Sequence, residues 1–198
     1  MKWSNDTALR RLTNGETAIA VIGLGYVGLP AAMCFAGKFK VIGYDINGKR
    51  IKTLEEKHGT ANGNILFTDR EEELDKASFH IITVPTPTDS DNKPDLAPLF
   101  DATKTVARHI KPGDCVVYES TVHPGCTEDT CVPIIERYSG LEQGKDFKTG
   151  YSPERINPND TRHQFSNTPK IVSGNDADAL ELISNIYSSV IDSQVHRA

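Results

Sequence analysis

The sequence predicts a doubly wound α/β fold, in which helices cover both faces of a mostly parallel sheet. Short runs rich in β-branched residues alternate with helix-like segments, as right-handed βαβ units require. With 198 residues, of which 37% are hydrophobic, the chain is long enough to bury one sizeable core. A glycine-rich turn, "GLGYVG", stands where the first apolar run ends and the first of these helices is expected to begin.

The elements follow this alternation along the chain. The predicted strands are Ala18–Ile22, Val41–Asp45, Ile65–Thr68, His80–Val84, Cys115–Glu119, Phe147–Tyr151 and Lys170–Ser173. The predicted helices are Tyr26–Ala36, Gly48–Lys57, Pro98–His109, Glu128–Tyr138 and Asp176–Val190. Asn175 is expected to cap the last helix, and the acidic stretch 69–78 is expected to be a solvated helical face. The chain is expected to form one domain, 1–198, with extra βα elements at its C-terminal end.

Composition excludes several classes of function. A formal net charge of -5 without a Lys/Arg run argues against nucleic acid as a partner. The amino terminus lacks the apolar core of a signal peptide, and no apolar stretch approaches membrane-spanning length, so we expect a cytoplasmic protein that does not bind membranes. We expect no metal site. The four cysteines lack a CxxC pair and are expected to be reduced thiols; they are Cys34, Cys115, Cys126 and Cys131.

The three glycines of the first turn have the spacing of a dinucleotide-binding motif. Gly23 would allow the sharp turn, Gly25 would let the backbone approach a pyrophosphate, and Gly28 would permit close packing of helix on strand. The helix that follows offers free N–H groups and a dipole that favour an anion. Asp45 ends the next strand about 20 residues further on, where a carboxylate can accept both ribose hydroxyls of an adenosine.

The turn alone leaves the cofactor open, because proteins that bind FAD or S-adenosylmethionine use related turns. Lys49 and Arg50 are compatible with the 2′-phosphate of NADP, but the negative charge of Asp45 would repel that group. The sequence therefore favours NAD.

Further motifs appear at the predicted strand ends. In chain order they are "GYVGLP", "DINGKRI", "TVPTPT", "PDLAPL", "VVYESTVHPGCTED" and "GYSPERINPND". In this order they resemble the UDP-glucose/GDP-mannose dehydrogenase family, from about Ala18 to Ser173. "YESTV" followed by "YSPERINP" is similar to the branch that oxidises UDP-N-acetylhexosamines for surface polysaccharides, of the Vi-antigen type. The UDP-glucose branch tends to read "NPEFL" where this chain has "SPERI".

The resemblance implies a Rossmann domain that binds NAD within a nucleotide-sugar 6-dehydrogenase. Such enzymes oxidise C6 of a UDP-sugar to a carboxylate in two NAD-dependent steps, through a thioester on a cysteine. That cysteine lies in a "GGHC"-like motif which these 198 residues lack, as they lack the family's assisting lysine and asparagine. The expectation is an amino-terminal NAD domain, inactive and monomeric by itself, belonging to a longer enzyme that forms a homodimer. The Lys52–Asn64 stretch is shorter than the resemblance implies.

The resemblance also assigns roles to individual residues. Thr121 and Glu154 match the threonine and glutamate that orient and activate the water of thioester hydrolysis. The alternative for Glu154 is a surface carboxylate paired with Arg155, and Cys126 and Cys131 are interpreted as packing residues. Residues carried over as cofactor contacts, besides the glycines, Thr121 and Asp45, are Tyr26, Val27, Arg50, Thr86 and Ser120.

Ordinary explanations remain open for several of these positions. Thr86 and Ser120 also fit as turn residues that bond to backbone groups. Arg155, Arg162 and His163 are candidates to meet a sugar or a phosphate, or they belong to a solvated loop.

Three other functions stay open. They are a UDP-glucose 6-dehydrogenase, a non-catalytic NAD-sensing module, and a hydroxyacid or phosphogluconate dehydrogenase. The last would need its own lysine or histidine acid–base set, and the sequence shows none.

Overall fold

Strands and helices alternate along the chain in this computed structural model, which describes residues 5–59, 63–88, 91–155 and 164–198. The strands are β1 (Ala18–Ile22), β2 (Val41–Tyr44), β3 (Ile65–Thr68), β4 (Ala77–Ile82), β5 (Cys115–Tyr118), β6 (Lys148–Tyr151), β7 (Lys170–Gly174) and β8 (Val195–Arg197). The α-helices are α1 (Asn5–Thr13), α2 (Gly28–Ala36), α3 (Gly48–His58), α4 (Ala97–His109), α5 (Val132–Ser139) and α6 (Ala177–Ser188). A 3₁₀-helix covers Glu71–Lys76 and a π-helical turn covers Thr127–Cys131.

Within these residues the strands form one sheet in the order β3-β2-β1-β4-β5-β6-β7-β8. Strand β1 pairs in parallel with β2 on one side and with β4 on the other. The strand order therefore reverses at β1, which is the topological switch point where ligands bind in folds of this kind. Strands β4, β5 and β6 continue in parallel, β7 is antiparallel to β6, and β8 is parallel to β7. The predicted doubly wound parallel sheet with extra C-terminal elements is confirmed.

Apolar side chains fill the space on both faces of the sheet, since its central strands are buried on both sides. On one face the sheet packs against α1, α2, α3 and α6, with Ile19 and Val21 of β1 contributing to that core. On the other face it packs against α4 and α5, with Ala20 and Ile22 pointing the opposite way. The parallel strands β1, β2, β4, β5 and β6 thus end at one common edge, between the two helical layers.

The prediction of a solvated helical face at 69–78 is correct for the short 3₁₀-helix, whose acidic side chains are exposed or half-buried, and wrong for Ala77 and Ser78, which belong to β4. Leu74 is completely buried inside the short 3₁₀-helix, and β4 already begins at Ala77. Ser78 is buried in that strand, where its hydroxyl lies 2.8 Å from the hydroxyl of Thr17. Strand β4 consequently starts three residues before the predicted His80 and ends at Ile82.

Other helix and strand ends also differ from the prediction. Helix α2 begins at Gly28 and not at Tyr26, and the predicted helix 128–138 is divided into the π-helical turn and α5. Asp176, not Asn175, caps α6, because its side chain accepts a hydrogen bond from the N–H of Ala179. Asn175 instead bridges to Thr149 of β6 through its backbone N–H and its side-chain oxygen.

Two elements were not predicted. Helix α1 is short and mostly polar, but it packs against the sheet through Leu12, which is 1% exposed. Strand β8 has three residues, of which two are exposed, and pairing with β7 defines it. Neither segment carries enough apolar residues for a periodic pattern to emerge from sequence.

Candidate functional site

The glycine turn between β1 and α2 is packed so tightly that side chains are excluded at two of its three glycines. Gly23 has φ +90°, and a Cβ there would lie 2.9 Å from Val84 Cγ1. A Cβ on Gly28 would lie 1.9 Å from the carbonyl oxygen of Gly23 and 2.3 Å from Thr83 Oγ1. A Cβ on Gly25 would meet no atom within 4 Å, so open space lies above this glycine. Gly23 and Gly28 shape the turn, and Gly25 lies where a ligand can approach the backbone.

Thr83 fastens this turn to the neighbouring strand. Its hydroxyl lies 3.0 Å from the carbonyl oxygen of Ile22 and 2.7 Å from that of Gly23, and donates toward them. Sequence reasoning missed Thr83, because nothing along the chain shows that the residue after β4 touches the turn after β1. The parallel pairing of these two strands brings them together.

The amino terminus of α2 is open to an anion. Val27 precedes the helix and provides no side-chain cap. Leu29 donates its N–H to the carbonyl of Gly25 and Pro30 has no N–H group, so the donors that can reach an anion belong to the turn and to Gly28. The first N–H groups of a helix have no acceptor inside the helix, and the helix dipole makes that end positive. The glycine turn therefore presents N–H groups and open space together, which is the arrangement that binds a pyrophosphate.

Asp45 follows β2 at the same edge of the sheet. Its Oδ2 accepts a hydrogen bond from the N–H of Leu24 at 2.9 Å, and its Oδ1 accepts one from the N–H of Asn47 at 2.9 Å. Each carboxylate oxygen can accept more than one bond, so both keep capacity for a ribose hydroxyl. Arg50 lies beside it, with Nε 3.9 Å from Asp45 Oδ2 and donating to the carbonyl of Leu24.

A cavity of about 660 Å³ extends from the glycine turn across the ends of β1 and β2. Asp45 and Arg50 line it, together with residues at the start of α4. Ile46, which is 85% exposed, stands at its rim and offers apolar surface that the sequence analysis did not single out. A carboxylate beside apolar surface fits the ribose and the flat base of an adenosine.

A second cavity, of about 490 Å³, lies on the other side of the glycine turn, across the ends of β4, β5 and β6. The two cavities share Gly25, Val84 and Pro85 in their walls. The second cavity also brings together Thr121 and Glu154, which lie 33 positions apart in the sequence. The remaining lining residues that the sequence analysis singled out are Tyr26, Val27, Thr86 and Ser120.

The hydroxyl groups of Thr86 and Ser120 bond within the protein. Thr86 Oγ1 donates to the carbonyl of Thr121 at 2.8 Å, and Ser120 Oγ donates to the carbonyl of Val84 at 2.7 Å. These bonds hold the loop after β4 against the loop after β5. Both residues line the second cavity, so they form its wall while their hydroxyl hydrogens stay engaged.

Glu154 is half-buried, and its Oε1 accepts a hydrogen bond from the backbone N–H of Arg155 at 2.6 Å. Arg155 itself is exposed and does not line the second cavity. Arg162 and His163 lie outside the described residues. Of the loop that begins at Ser152, Glu154 is the residue that the described structure places in the cavity wall.

The cysteines are packing residues in this structure. Cys115, Cys126 and Cys131 are fully buried, and Cys34 is partly buried. Burial raises the pKa of Cys131 to about 12 and that of Cys34 to about 11, and it raises the pKa of Cys126 as well. Thiols held protonated in this way are poor nucleophiles at neutral pH.

A buried ion pair behind the second cavity was not predicted. Lys170 Nζ lies 2.6 Å from Glu119 Oε2, and the hydroxyl of Tyr187 donates to Glu119 Oε1 at 2.5 Å. The pair joins β7 to the end of β5, with α6 supplying the tyrosine. One signal in the sequence was available: Lys170 opens the apolar run "KIVSG", where a charged residue in a buried strand needs a partner.

No group of three or more His, Cys, Asp or Glu side chains among the described residues is placed to hold a metal ion. No helix in residues 5–59, 63–88, 91–155 and 164–198 is long and apolar enough to cross a membrane.

Comparison with known proteins agrees with this geometry. Residues 17–191 match the NAD-binding domain of the UDP-glucose/GDP-mannose dehydrogenase family. The chain is 53% identical to Protein CapL of Staphylococcus aureus over 91% of this chain and 45% of that protein. It is 46% identical to the UDP-N-acetyl-D-glucosamine 6-dehydrogenase of Salmonella typhi over 92% of this chain and 45% of that protein.

A solved structure of a nucleotide-sugar dehydrogenase also matches this chain. The UDP-D-ManNAc dehydrogenase of Pyrococcus horikoshii matches with a TM-score of 0.84 and 34% identity, over 91% of this chain and 46% of that one. The chain spans about half the length of the relatives it matches.

Proposed function

We propose that this chain, which belongs to the UDP-glucose/GDP-mannose dehydrogenase family, is the NAD-binding half of an enzyme that oxidises C6 of a UDP-N-acetylhexosamine to the uronic acid. The observation that carries the proposal is the pair of cavities that meet over the glycine turn. A dinucleotide has two nucleoside ends joined by a pyrophosphate, and the site has two cavities joined by an anion-binding turn. The relatives named UDP-N-acetyl-D-glucosamine 6-dehydrogenase support the substrate class.

The residues of the first cavity would hold the adenosine half. Asp45 accepts the ribose hydroxyls, while the N–H groups at the start of α2 and the backbone of Gly25 hold the pyrophosphate. The same carboxylate repels a 2′-phosphate, which accounts for NAD over NADP. Arg50 lies 3.9 Å from Asp45 and lines the same cavity.

The residues of the second cavity would surround the nicotinamide and the reacting carbon. NAD supplies a hydride acceptor there when it is bound. Thr121 and Glu154 face the same space from the ends of two strands, so a water between them can be oriented by the hydroxyl and deprotonated by the carboxylate. This is the step expected when a thioester is hydrolysed to the acid.

The proposal is tested with the enzyme that joins this chain to the half its relatives carry in addition. NADH formation is followed by absorbance with UDP-N-acetylglucosamine, UDP-N-acetylgalactosamine and UDP-glucose as separate substrates. We expect two NADH per sugar with an N-acetylhexosamine and a much lower rate with UDP-glucose. A preference for UDP-glucose would overturn the substrate class, and absence of NAD binding would overturn the whole proposal.

A further inference from the structure

The buried ion pair of Glu119 and Lys170 lies against the second cavity, and the proposed function leaves it without a role. Glu119 is the first residue after β5 and lines the cavity, although its side chain is fully buried. Lys170 is 2% exposed and Tyr187 is completely buried. A ligand in the cavity would meet the wall formed by Glu119 and the electric field of its carboxylate, not the carboxylate itself.

Stability alone explains such a pair poorly. Removing two charges from water costs several kcal/mol per ion, and apolar replacements of buried pairs are often neutral or stabilising. This pair is nevertheless fully supported: Tyr187 donates to Glu119, and Lys170 Nζ lies 5.0 Å from the ring centre of Phe165 and 5.8 Å from that of Tyr187. Burial and the charge of Glu119 hold the pKa of Tyr187 well above its usual value, so the phenol remains a neutral donor.

The pair has a defined orientation relative to the cavity. Glu119 follows β5, whose end forms the cavity wall, whereas Lys170 belongs to β7, two strands further along the sheet. Neither Lys170 nor Tyr187 is part of the cavity lining. Glu119 is therefore the member of the pair that borders the cavity, and Lys170 is set back from it.

We propose that Glu119 makes the second cavity favour the oxidised, positively charged nicotinamide over the reduced, neutral one. This inference rests on the proposed function, because it requires the nicotinamide ring in this cavity. NAD⁺ carries a charge on that ring and NADH does not, so a negative field stabilises only the oxidised form. Such a field would promote binding of the form that the oxidation consumes and release of the form that it produces.

The test compares the dissociation constants of NAD⁺ and NADH by calorimetry on the 198-residue chain and on the variant Glu119→Gln. A buried carboxylate partly offset by its lysine changes the relative affinity by about threefold to tenfold at separations of several ångströms. We expect the dissociation constant of NADH divided by that of NAD⁺ to fall by that factor in Glu119→Gln. An unchanged ratio in a folded variant would overturn the inference.

Two further variants distinguish an effect of the charges of this pair from an effect of its packing. Glu119→Gln leaves Lys170 buried without its charged partner, so the double variant Glu119→Gln/Lys170→Met removes both charges with little change in volume. A smaller fall in the ratio is expected there than in Glu119→Gln, because the opposing charge of Lys170 is removed as well. Tyr187→Phe keeps both charges and should leave the ratio unchanged; a fall as large as in the charge variants would mean that packing sets the preference. If the unaltered chain binds neither form, the proposed function has failed, which is a different result from an unchanged ratio.

Discussion

Gly25 and Gly28 lie three positions apart, yet a Cβ on Gly25 would meet open space and a Cβ on Gly28 would meet the backbone of the turn. Alanine at Gly25 meets no atom within 4 Å, so we expect the free energy of unfolding to change by no more than about 0.5 kcal/mol. The added methyl group stands where a pyrophosphate would approach, and NAD⁺ should bind about tenfold more weakly. Calorimetry and thermal unfolding on the same sample check both halves of this prediction.

Gly28→Ala is the matched comparison. Its methyl group would lie 1.9 Å from a backbone oxygen and 2.3 Å from Thr83 Oγ1, so the turn must shift. We expect a loss of about 1–3 kcal/mol in the free energy of unfolding, as for other overpacked sites. If Gly25→Ala proved the more destabilising of the two, the assignment of their roles would be reversed.

Asp45 tests the choice of cofactor. Its substitution by alanine removes the acceptor of the ribose hydroxyls, and hydrogen bonds to charged groups contribute about 1.5–3 kcal/mol. NAD⁺ should bind more weakly by that amount, and the preference over NADP⁺ should disappear. Asp178→Ala on the exposed start of α6 is the control and should leave both affinities unchanged. NADP⁺ binding to the unaltered chain as tightly as NAD⁺ would contradict the prediction.

At the scale of single residues, sequence reasoning found the groups whose role depends on neighbours along the chain. The glycines and Asp45 have a fixed spacing, and a spacing can be read from one sequence. Thr83 and the pair of Glu119 and Lys170 act across strands, and the sequence alone does not fix which strand ends meet. The positions of Thr121 and Glu154 were inferred from a resemblance, and the structure places both in one cavity wall.

At the scale of elements, helix α6 provides a test by pH. Burial raises the pKa of Asp176, but hydrogen bonds from Lys148 and from the N–H of Ala179 outweigh it, so the net pKa is lowered. A carboxyl group whose pKa is lower in the folded state stabilises the fold at pH values above its unfolded-state pKa of about 3.9. This stabilisation is lost as the pH falls through the folded-state pKa.

We therefore expect Asp176→Asn to be less stable than the unaltered chain at pH 7, and the difference to shrink below about pH 4. Asparagine can still cap the helix, whereas Asp176→Ala also removes the cap, at a cost of about 0.5–2 kcal/mol. Chemical unfolding at several pH values measures both effects. A difference between Asp176→Asn and the unaltered chain that stayed constant down to pH 3 would show that the charge is not responsible.

The strands of the central sheet were predictable, whereas several element ends were not. The runs at β1 and β3 have the predicted bounds, because β-branched residues flanked by polar ones mark short buried strands. The start of β4 was missed because Ala77 and Ser78 follow an acidic segment, and only the packing of Leu74 shows that this segment lies against the sheet. Tertiary contacts of this kind override local preference.

At the scale of the whole molecule, the sheet order explains why the candidate groups of both cavities lie at one edge. The parallel strands on either side of β1 run in the same direction, so the residues that follow them converge at the switch point. The first cavity lies toward β2 and the second toward β4 and β5. Under the proposed function, the second cavity is the place where a substrate held by the other half of the enzyme would meet this chain.

Glu154 can be tested only in that complete enzyme. If its carboxylate takes the proton of the hydrolytic water, Glu154→Gln should leave NAD⁺ binding and the sugar oxidations intact, because the amide keeps the shape but accepts no proton. Hydrolysis should slow by roughly 10²–10⁴-fold, as expected for loss of a general base. A covalent sugar adduct should then accumulate on the cysteine that the family resemblance implies outside these 198 residues. Intact-protein mass spectrometry after mixing with NAD⁺ and substrate measures the added mass.

The controls for Glu154→Gln locate the effect. Thr121→Ala should slow hydrolysis less than Glu154→Gln does, because it removes an orienting hydroxyl and leaves the base in place. Glu142→Gln, which alters an exposed carboxylate paired with Lys145, should turn over at the unaltered rate. The 198-residue chain by itself should form no adduct, because its three fully buried thiols are inaccessible and burial keeps Cys34 protonated. Turnover of Glu154→Gln at the unaltered rate without an adduct would show that this glutamate is a structural carboxylate, and that another group accepts the proton.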